Sequence, residues 1–386
     1  MSGVERMPLS EVRDLIVVGE PLPFRVLEAS GMLLLNQEQV VATDRQFEAL
    51  VSRGAWVERS LVDEVRKARG TAAPPVFSAA QRLHTLFDLW DDWSHQFTEL
   101  VNRASRGRAL AGEFETSADT LLALIKRDGD VALFVCVRQY GMKPTLYPAW
   151  HAMHCAVACA MTAAQLNWPA AQEVMITRAA LTMNIGMVDL QATLAGQREA
   201  PEAKQLDGVR KHPLASAELL RQLGVSDDEW LQTVQAHHER PDGSGYPQAS
   251  KVQSDAAQLL RIADVFMAKL SGRSSRAAML PALAARQIFA QHGQTPLAMA
   301  LIRSLGIHPP GALVQLQSGE VAVVSRRAKA GPAPLVAALS SKQGKPTAAT
   351  QHRDSAEAEF AITGPLLDTK AYARILPERV FGMIMA

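Results

Sequence analysis

Hydrophobic positions divide the chain into stretches of different period. Between residues 14 and 58, the run LIVVGEPLPFRVLEASGMLLLNQEQVVA holds short apolar segments broken by Gly19, Pro21, Pro23 and Gly31. Short apolar runs between turn formers predict a small β-rich unit. A helix is predicted at 44–53, ending at Gly54. Leu83, Leu86, Phe87, Leu89, Trp90, Trp93 and Phe97 then recur at helical spacing. Trp90 and Trp93 are expected to pack this first long helix rather than to stack on a base. Helical patterns continue, with breaks, to about residue 305. After Pro309-Pro310-Gly311, LVQLQSGEVAVVS predicts a hairpin around Ser318-Gly319. From Arg326 to Glu359 the chain is rich in Ala, Lys, Pro, Ser and Gln, and no aromatic occurs between Phe289 and Phe360. That stretch is expected to be a flexible segment rather than a third core.

The expected organisation is therefore a small β-rich domain at 1–65 and a linker with a long helix at 66–109. A helical domain follows at 110–310. A hairpin appendage, a flexible segment and a C-terminal tail make up 311–386. The linker itself is placed at RKARGTAAPP, residues 66–75. The fold class is mainly α with small β-rich units at both ends. The 386 residues suit two or three domains. Aromatics are only 5 %, so the cores must rest on Ala, Leu, Val and Met.

Charge narrows the function classes. Forty Lys+Arg against 39 Asp+Glu leave a formal charge of +1, which argues against a nucleic-acid polymer as partner. The N-terminus is charged where a secretory signal is apolar, and no uncharged apolar stretch is long enough to span a membrane. A cytoplasmic protein without a membrane span is expected. Three cysteines, Cys136, Cys155 and Cys159, make no disulfide framework and no CxxC pair. Cys155 and Cys159, one helical turn apart among Ala, Val and Met, are expected to be small core residues. No Gly-rich nucleotide loop appears in the N-terminal unit.

The densest cluster of chemistry is His237-His238-Glu239-Arg240-Pro241-Asp242-Gly243-Ser244-Gly245-Tyr246-Pro247. Adjacent helical residues point about 100° apart, so two neighbouring histidines cannot both serve one core. At a helix end both can swing to a shared site, with Asp242, Gly243 and Gly245 forming a tight turn and Pro247 fixing its exit. His151, His212 and Asp264 lie on flanking helical segments. Four His and one Asp make a candidate metal set, and imidazole with carboxylate suits Fe, Mn or Zn.

HHERPDGSGYP resembles the HHExxDGxGYP signature of HD-GYP domains, the bacterial cyclic di-GMP phosphodiesterases. The order of motifs is similar as well. His151 matches a His opening the first family helix, His212-Pro213 matches a His-Pro pair, and Asp264 matches an Asp on a later apolar helix. The GRSSR run sets Arg273 and Arg276 at the positions of an RPYR-like run. The resemblance covers roughly residues 110–310. It implies an HD-type helical bundle, a metal site of His151, His212, His237, His238 and Asp264, and a ligand surface. That surface comprises Asp242, Gly243, Gly245, Tyr246, Pro247, Arg273 and Arg276, the arginines clamping phosphates through guanidinium forks.

One motif departs. Where the family carries HDxGK, this chain reads Met183-Asn184-Ile185-Gly186-Met187. In the family that His and Asp are metal ligands, the Asp bridges two ions, and the Lys positions phosphate and water. Thioether is a poor ligand for hard or borderline ions, an amide bridges two cations badly, and Met187 has no charge. By family geometry His212, His237 and His238 serve one ion, and His151 with Asp264 serves mainly the other. A mononuclear ion is expected in preference to a dinuclear centre.

The resemblance with this departure implies a degenerate signalling protein to which no catalytic residue is assigned. It is expected to bind cyclic di-GMP, or a signalling partner through the GYP turn, with weak or no hydrolysis. The alternative is an active metal-dependent cyclic di-GMP phosphodiesterase with a non-standard site, in which His154, Asp189 or Glu173 replaces lost ligands. A structural adaptor with neither metal nor nucleotide is the third reading. The oligomeric state is left open.

Overall fold

The computed structural model describes residues 5–28, 33–41, 43–52, 54–69, 85–138, 143–328, 333–372, 375–382 and 384. The chain divides into two compact units, residues 1–89 with 346–350 and 382–386, and residues 90–345 with 351–381. Leu83, Gly31 and most of the expected linker fall outside the described residues, and residues 66–69 end a helix.

In the first unit, β1 (Arg6–Pro8), β2 (Val26–Leu27), β3 (Leu33–Leu35) and β4 (Trp56–Glu58) form an antiparallel sheet in the order β1-β4-β2-β3. Helices α1 (Asp44–Ser52) and α2 (Arg59–Arg69) accompany it. Leu9, Val12, Phe24, Val26, Phe47, Val57 and Val62 close its core. Gly54 takes φ +67°, the left-handed value that stops α1.

The second unit is a helical bundle. Its helices are α3 (Leu86–Ala104, from Trp90 onward), α4 (Ala111–Arg127), α5 (Gly129–Val137), α6 (Tyr147–Gln165), α7 (Ala170–Thr182) and α8 (Val188–Gly196). They continue with α9 (Ala203–Gln222), α10 (Asp228–Ala236), α11 (Asp255–Leu270), α12 (Pro281–His292) and α13 (Pro296–Leu305). Helix α6 is the centre, buried along almost its whole length from Tyr147 to Ala163. It packs against α4, α5, α7, α8, α11 and α13. Its many alanines let those helices approach, because interaxial distance follows side-chain size at the contact. Trp90 and Trp93 are buried in the bundle, with Trp93 stacked on Phe97 at 5.1 Å.

The bundle is followed by β5 (Leu313–Leu316), β6 (Val321–Arg326), β7 (Leu335–Ser340), β8 (Pro346–Asp354, of which 351–354 lie in this unit), β9 (Ile362–Pro365) and α14 (Pro377–Phe381). The strand order is β8-β7-β6-β5-β9. The hairpin around Ser318-Gly319 forms, with Gly319 at φ +87°. The stretch from Arg326 to Glu359, whose composition predicts a flexible segment, carries β7 and β8 instead; residues 329–332 lie outside the described ones. Strand β8 is mostly polar and largely exposed where described and shows no apolar pattern, whereas for β7 the reason is burial on both faces. Val323, Ala337 and Leu339 fill one face, and Ala322, Val324 and Val336 fill the other. A strand buried on both faces needs no aromatic and shows no alternation.

Two arginines tie this sheet to the bundle. Asp128 caps α5 by accepting from the N–H groups of Asp130 and Val131, both at 3.1 Å. Arg326 Nη1 donates to both Asp128 oxygens at 2.6 Å, and Arg327 Nε donates to Asp130 at 2.5 Å. Asp128→Ala removes a cap and a partly buried ion pair together. It is expected to cost about 2 kcal/mol in urea denaturation.

Candidate metal centre

Pro213 lies inside α9 and has no N–H to offer the carbonyl of Val209, four residues back. His212 fills that gap, with Nδ1 2.6 Å from Val209 O. At the last turn of α10, where carbonyls run out of helical partners, His237 Nδ1 lies 2.6 Å from Val234 O. A carbonyl only accepts, so the hydrogen-bond network assigns the proton to each Nδ1 and leaves a lone pair on each Nε2. The two Nε2 atoms face each other at 3.1 Å. Burial pushes His212 down to about 3, with His237 adding to the effect. Burial also lowers His237, and His238 falls well below its usual value through burial first and His237 next.

Neutral rings with converging lone pairs repel unless a cation lies between them. Imidazole nitrogens bind zinc-like ions at about 2.0–2.1 Å, which puts two ligands of one ion roughly 3 Å apart. The residues therefore fit a divalent ion. His238 completes the group, its ring centroid 4.2 Å from that of His237 and 5.0 Å from that of His212.

A second group adjoins the first. His151, in the first turns of α6, places Nε2 2.7 Å from Asp264 Oδ1 on α11. Asp264 Oδ2 lies 4.0 Å from His238 Nδ1 and so connects the groups. Burial would raise the Asp264 carboxyl, but the His151 hydrogen bond and the neighbouring imidazoles outweigh it and hold the group well below the usual carboxylate range. Cys155 joins this group, with Sγ 3.7 Å from His151 Nε2. Burial, and then the Asp264 charge, keep its thiol well above the usual value. Unlike His212 and His237, His151 has a buried Nδ1 without a hydrogen-bond partner.

The turn after α10 holds itself in shape. Glu239, 2 % exposed, accepts from Gln248 N at 2.6 Å and Ser250 N at 2.9 Å. Asp242 accepts from the N–H and hydroxyl of Ser244 at 2.9 and 2.7 Å. Gly243 sits at φ +79°. A Cβ on Gly245 would fall 2.5 Å from both Arg240 N and Glu239 Cα, so only glycine fits there. Tyr246 stacks on His238 with centroids 4.6 Å apart, and Pro247 follows through a cis peptide.

The remaining candidates divide. Arg273 donates to the Tyr147 hydroxyl at 2.9 and 2.7 Å, and Tyr147 stacks on His151 at 5.5 Å, so Arg273 is joined to the pocket through a ring. Arg276 is exposed and donates to the Ala268 carbonyl. Met183 is fully buried, Met187 is half-buried, and Asn184 is buried with Oδ1 lacking a hydrogen-bond partner. Gly186 is retained for a steric reason. A Cβ there would lie 2.6 Å from Ser216 N, and Gly186 N donates to Ser216 Oγ at 3.0 Å. Among the suggested replacement ligands, His154 is buried against Trp150, Glu173 is half-buried and Asp189 is exposed. Sequence reasoning assigned no role to Tyr147 and Glu239, and it read Cys155 as core. The available signal for Cys155 was its position one turn after His151 on the same helical face.

The HD domain family model matches residues 142–296, the segment containing all five candidate metal residues and the HHERPDGSGYP turn. Residues 142–296 match an HD domain, and the turn inside them is similar to the HD-GYP signature. The chain is 29 % identical over 179 residues to the cyclic di-GMP phosphodiesterase PA4108 of Pseudomonas aeruginosa, covering 45 % of this chain and 43 % of that protein. It thus spans less than half the length of this relative. It is also similar to the solved structure of Bd1817, an HDG"Y"P protein from Bdellovibrio bacteriovorus. That match has TM-score 0.49 and 13 % identity, and covers 77 % of this chain and 97 % of the other. Among the described residues no helix is long and apolar enough to cross a membrane.

Glu239→Ala leaves two turn N–H groups without their acceptor. It is expected to destabilise the HD-GYP turn by about 2 kcal/mol, read as faster hydrogen exchange at Gln248 and Ser250. Acid titrates the buried rings. His154, through burial and then His151, and His212 both stand at about 3, against an ordinary value of about 6.5. The unfolded chain therefore takes up protons that the native chain refuses. Stability of the metal-free protein should fall as pH drops from about 6.5 toward 3. His154→Gln should remove about 1.4 kcal/mol per pH unit from that slope in a pH series of urea titrations.

Proposed function

We propose that this HD-GYP protein acts in bacterial cyclic di-GMP signalling as a degenerate member that binds the nucleotide, or a partner protein through its turn, with weak or no hydrolysis. The observation that carries this reading is that Met183, Asn184 and Met187 stand in the HDxGK-like run while His212, His237 and His238 still converge. His212, His237 and His238 would hold a divalent ion, which when bound supplies Lewis-acid polarisation of an oxygen. Asn184 offers an uncharged amide where a bridging carboxylate is needed. Met187 offers no cation to a phosphate or water. Binding has more support than turnover. Tyr246, stacked on His238, presents a ring face to a base, and Arg273, braced by Tyr147, presents a guanidinium to a phosphate.

The second reading, an active phosphodiesterase with a non-standard site, is favoured by one observation, the cluster of Cys155 with His151 and Asp264. A turnover assay with cyclic di-GMP in Mn2+ or Fe2+ separates the two. We expect calorimetric binding of the nucleotide without appreciable turnover. We also expect hydrolysis to appear in the triple variant Met183→His, Asn184→Asp, Met187→Lys. Hydrolysis by the unaltered chain at ordinary rates would overturn the proposal in favour of the second reading.

A further inference from the structure

Helix α6 meets its neighbours largely through alanine, yet it places a thiol in the pocket. Cys155 follows His151 by one helical turn, a spacing that puts both side chains on one face. Its Sγ lies 3.7 Å from His151 Nε2, which is itself 2.7 Å from Asp264 Oδ1. The ligand atoms of all three residues fall within 4.8 Å of one another. Asp264 arrives from α11, so the convergence is tertiary and not a by-product of helix spacing. His151 is 2 % exposed and its Nδ1 has no hydrogen-bond partner. Cys136 and Cys159 are equally buried, but among the described residues neither belongs to such a cluster.

We propose that Cys155 is a protein ligand of a second cation site, with His151 and Asp264, and that its sulfur selects a zinc- or ferrous-type ion over magnesium or manganese. The inference rests on reading this pocket as a divalent-metal site. Thiolate, imidazole and carboxylate are all ligands of zinc-type ions, and sulfur disfavours the harder ones. At positions 183 and 184 the side chains are a thioether and a neutral amide, so the second ion depends on this nearby donor. Binding breaks the S–H bond. The proton leaves to solvent, the electron pair stays on sulfur and is shared with the ion, and no oxidation state changes.

The test is titration of the metal-free full chain with Co2+ alone, read by absorbance. A near-ultraviolet sulfur-to-cobalt charge-transfer band is expected. It should be retained in C136A/C159A, lost in C155S, and undiminished by excess Mn2+. Absence of the band at every stoichiometry, its persistence in C155S, or its loss to Mn2+ would overturn the proposal. Should C155S fail to fold by circular dichroism, X-ray absorption of the zinc-loaded unaltered chain decides. A sulfur neighbour is expected, and a shell of nitrogen and oxygen alone refutes it. The outcome is separable from that of the functional reading. Cyclic di-GMP turnover with the band present sinks only the non-hydrolytic reading, and no turnover with no band sinks only this one.

Discussion

The pocket depends on two backbone carbonyls that the helices leave open. Pro213 withholds an N–H from Val209, and the end of α10 leaves Val234 without a helical partner. Each carbonyl then accepts a hydrogen bond from the Nδ1–H of a histidine and turns that ring so that Nε2 points at its counterpart. The orientation is set by main-chain carbonyls rather than by side-chain acceptors. Hydrogen bonds behind the ligand nitrogen fix the tautomer as well as the direction of the ring. His151 shows what happens without such an anchor, since its outer nitrogen is buried with no partner and its inner one turns to Asp264.

The surrounding bundle keeps this arrangement under tight steric limits. Helix α6 lies among six neighbours because alanine lines so many of its contacts. Gly186 brings the turn after α7 against the backbone of α9 at Ser216. Trp230 of α10 donates its indole N–H to Thr182 at the end of α7, at 2.8 Å. These contacts fix the segment carrying Met183 and Asn184 between α7, α9 and α10. Packing demands glycine at 186, and around it Met183, Asn184 and Met187 place uncharged side chains.

Much of this could be read from the sequence because it rests on local rules. The paired histidines before a glycine turn, the His-Pro step and the alternation of apolar runs each have a short-range cause. The bundle, the hairpin at Ser318-Gly319 and the core placement of Trp90 and Trp93 follow from such patterns. What could not be read depends on partners distant in the chain. Cys155 looks like one more small residue until α11 brings Asp264 beside it. Tyr147 gains its place only when Arg273 reaches it across 126 residues. Strand β7 was hidden because small residues on both of its faces erase the alternation that marks a strand, and β8 because its largely exposed sequence is mostly polar.

Glu239 turns its carboxylate inward, onto the main chain of the residues that leave the turn. Asp242 does the same for the tip. Neither clasp involves an imidazole of the pocket; the loop meets the pocket through Tyr246, stacked on His238. Any molecule that meets this surface finds it already ordered. Association there then loses little conformational entropy, which is the advantage of a rigid epitope over a loop that must fold on contact.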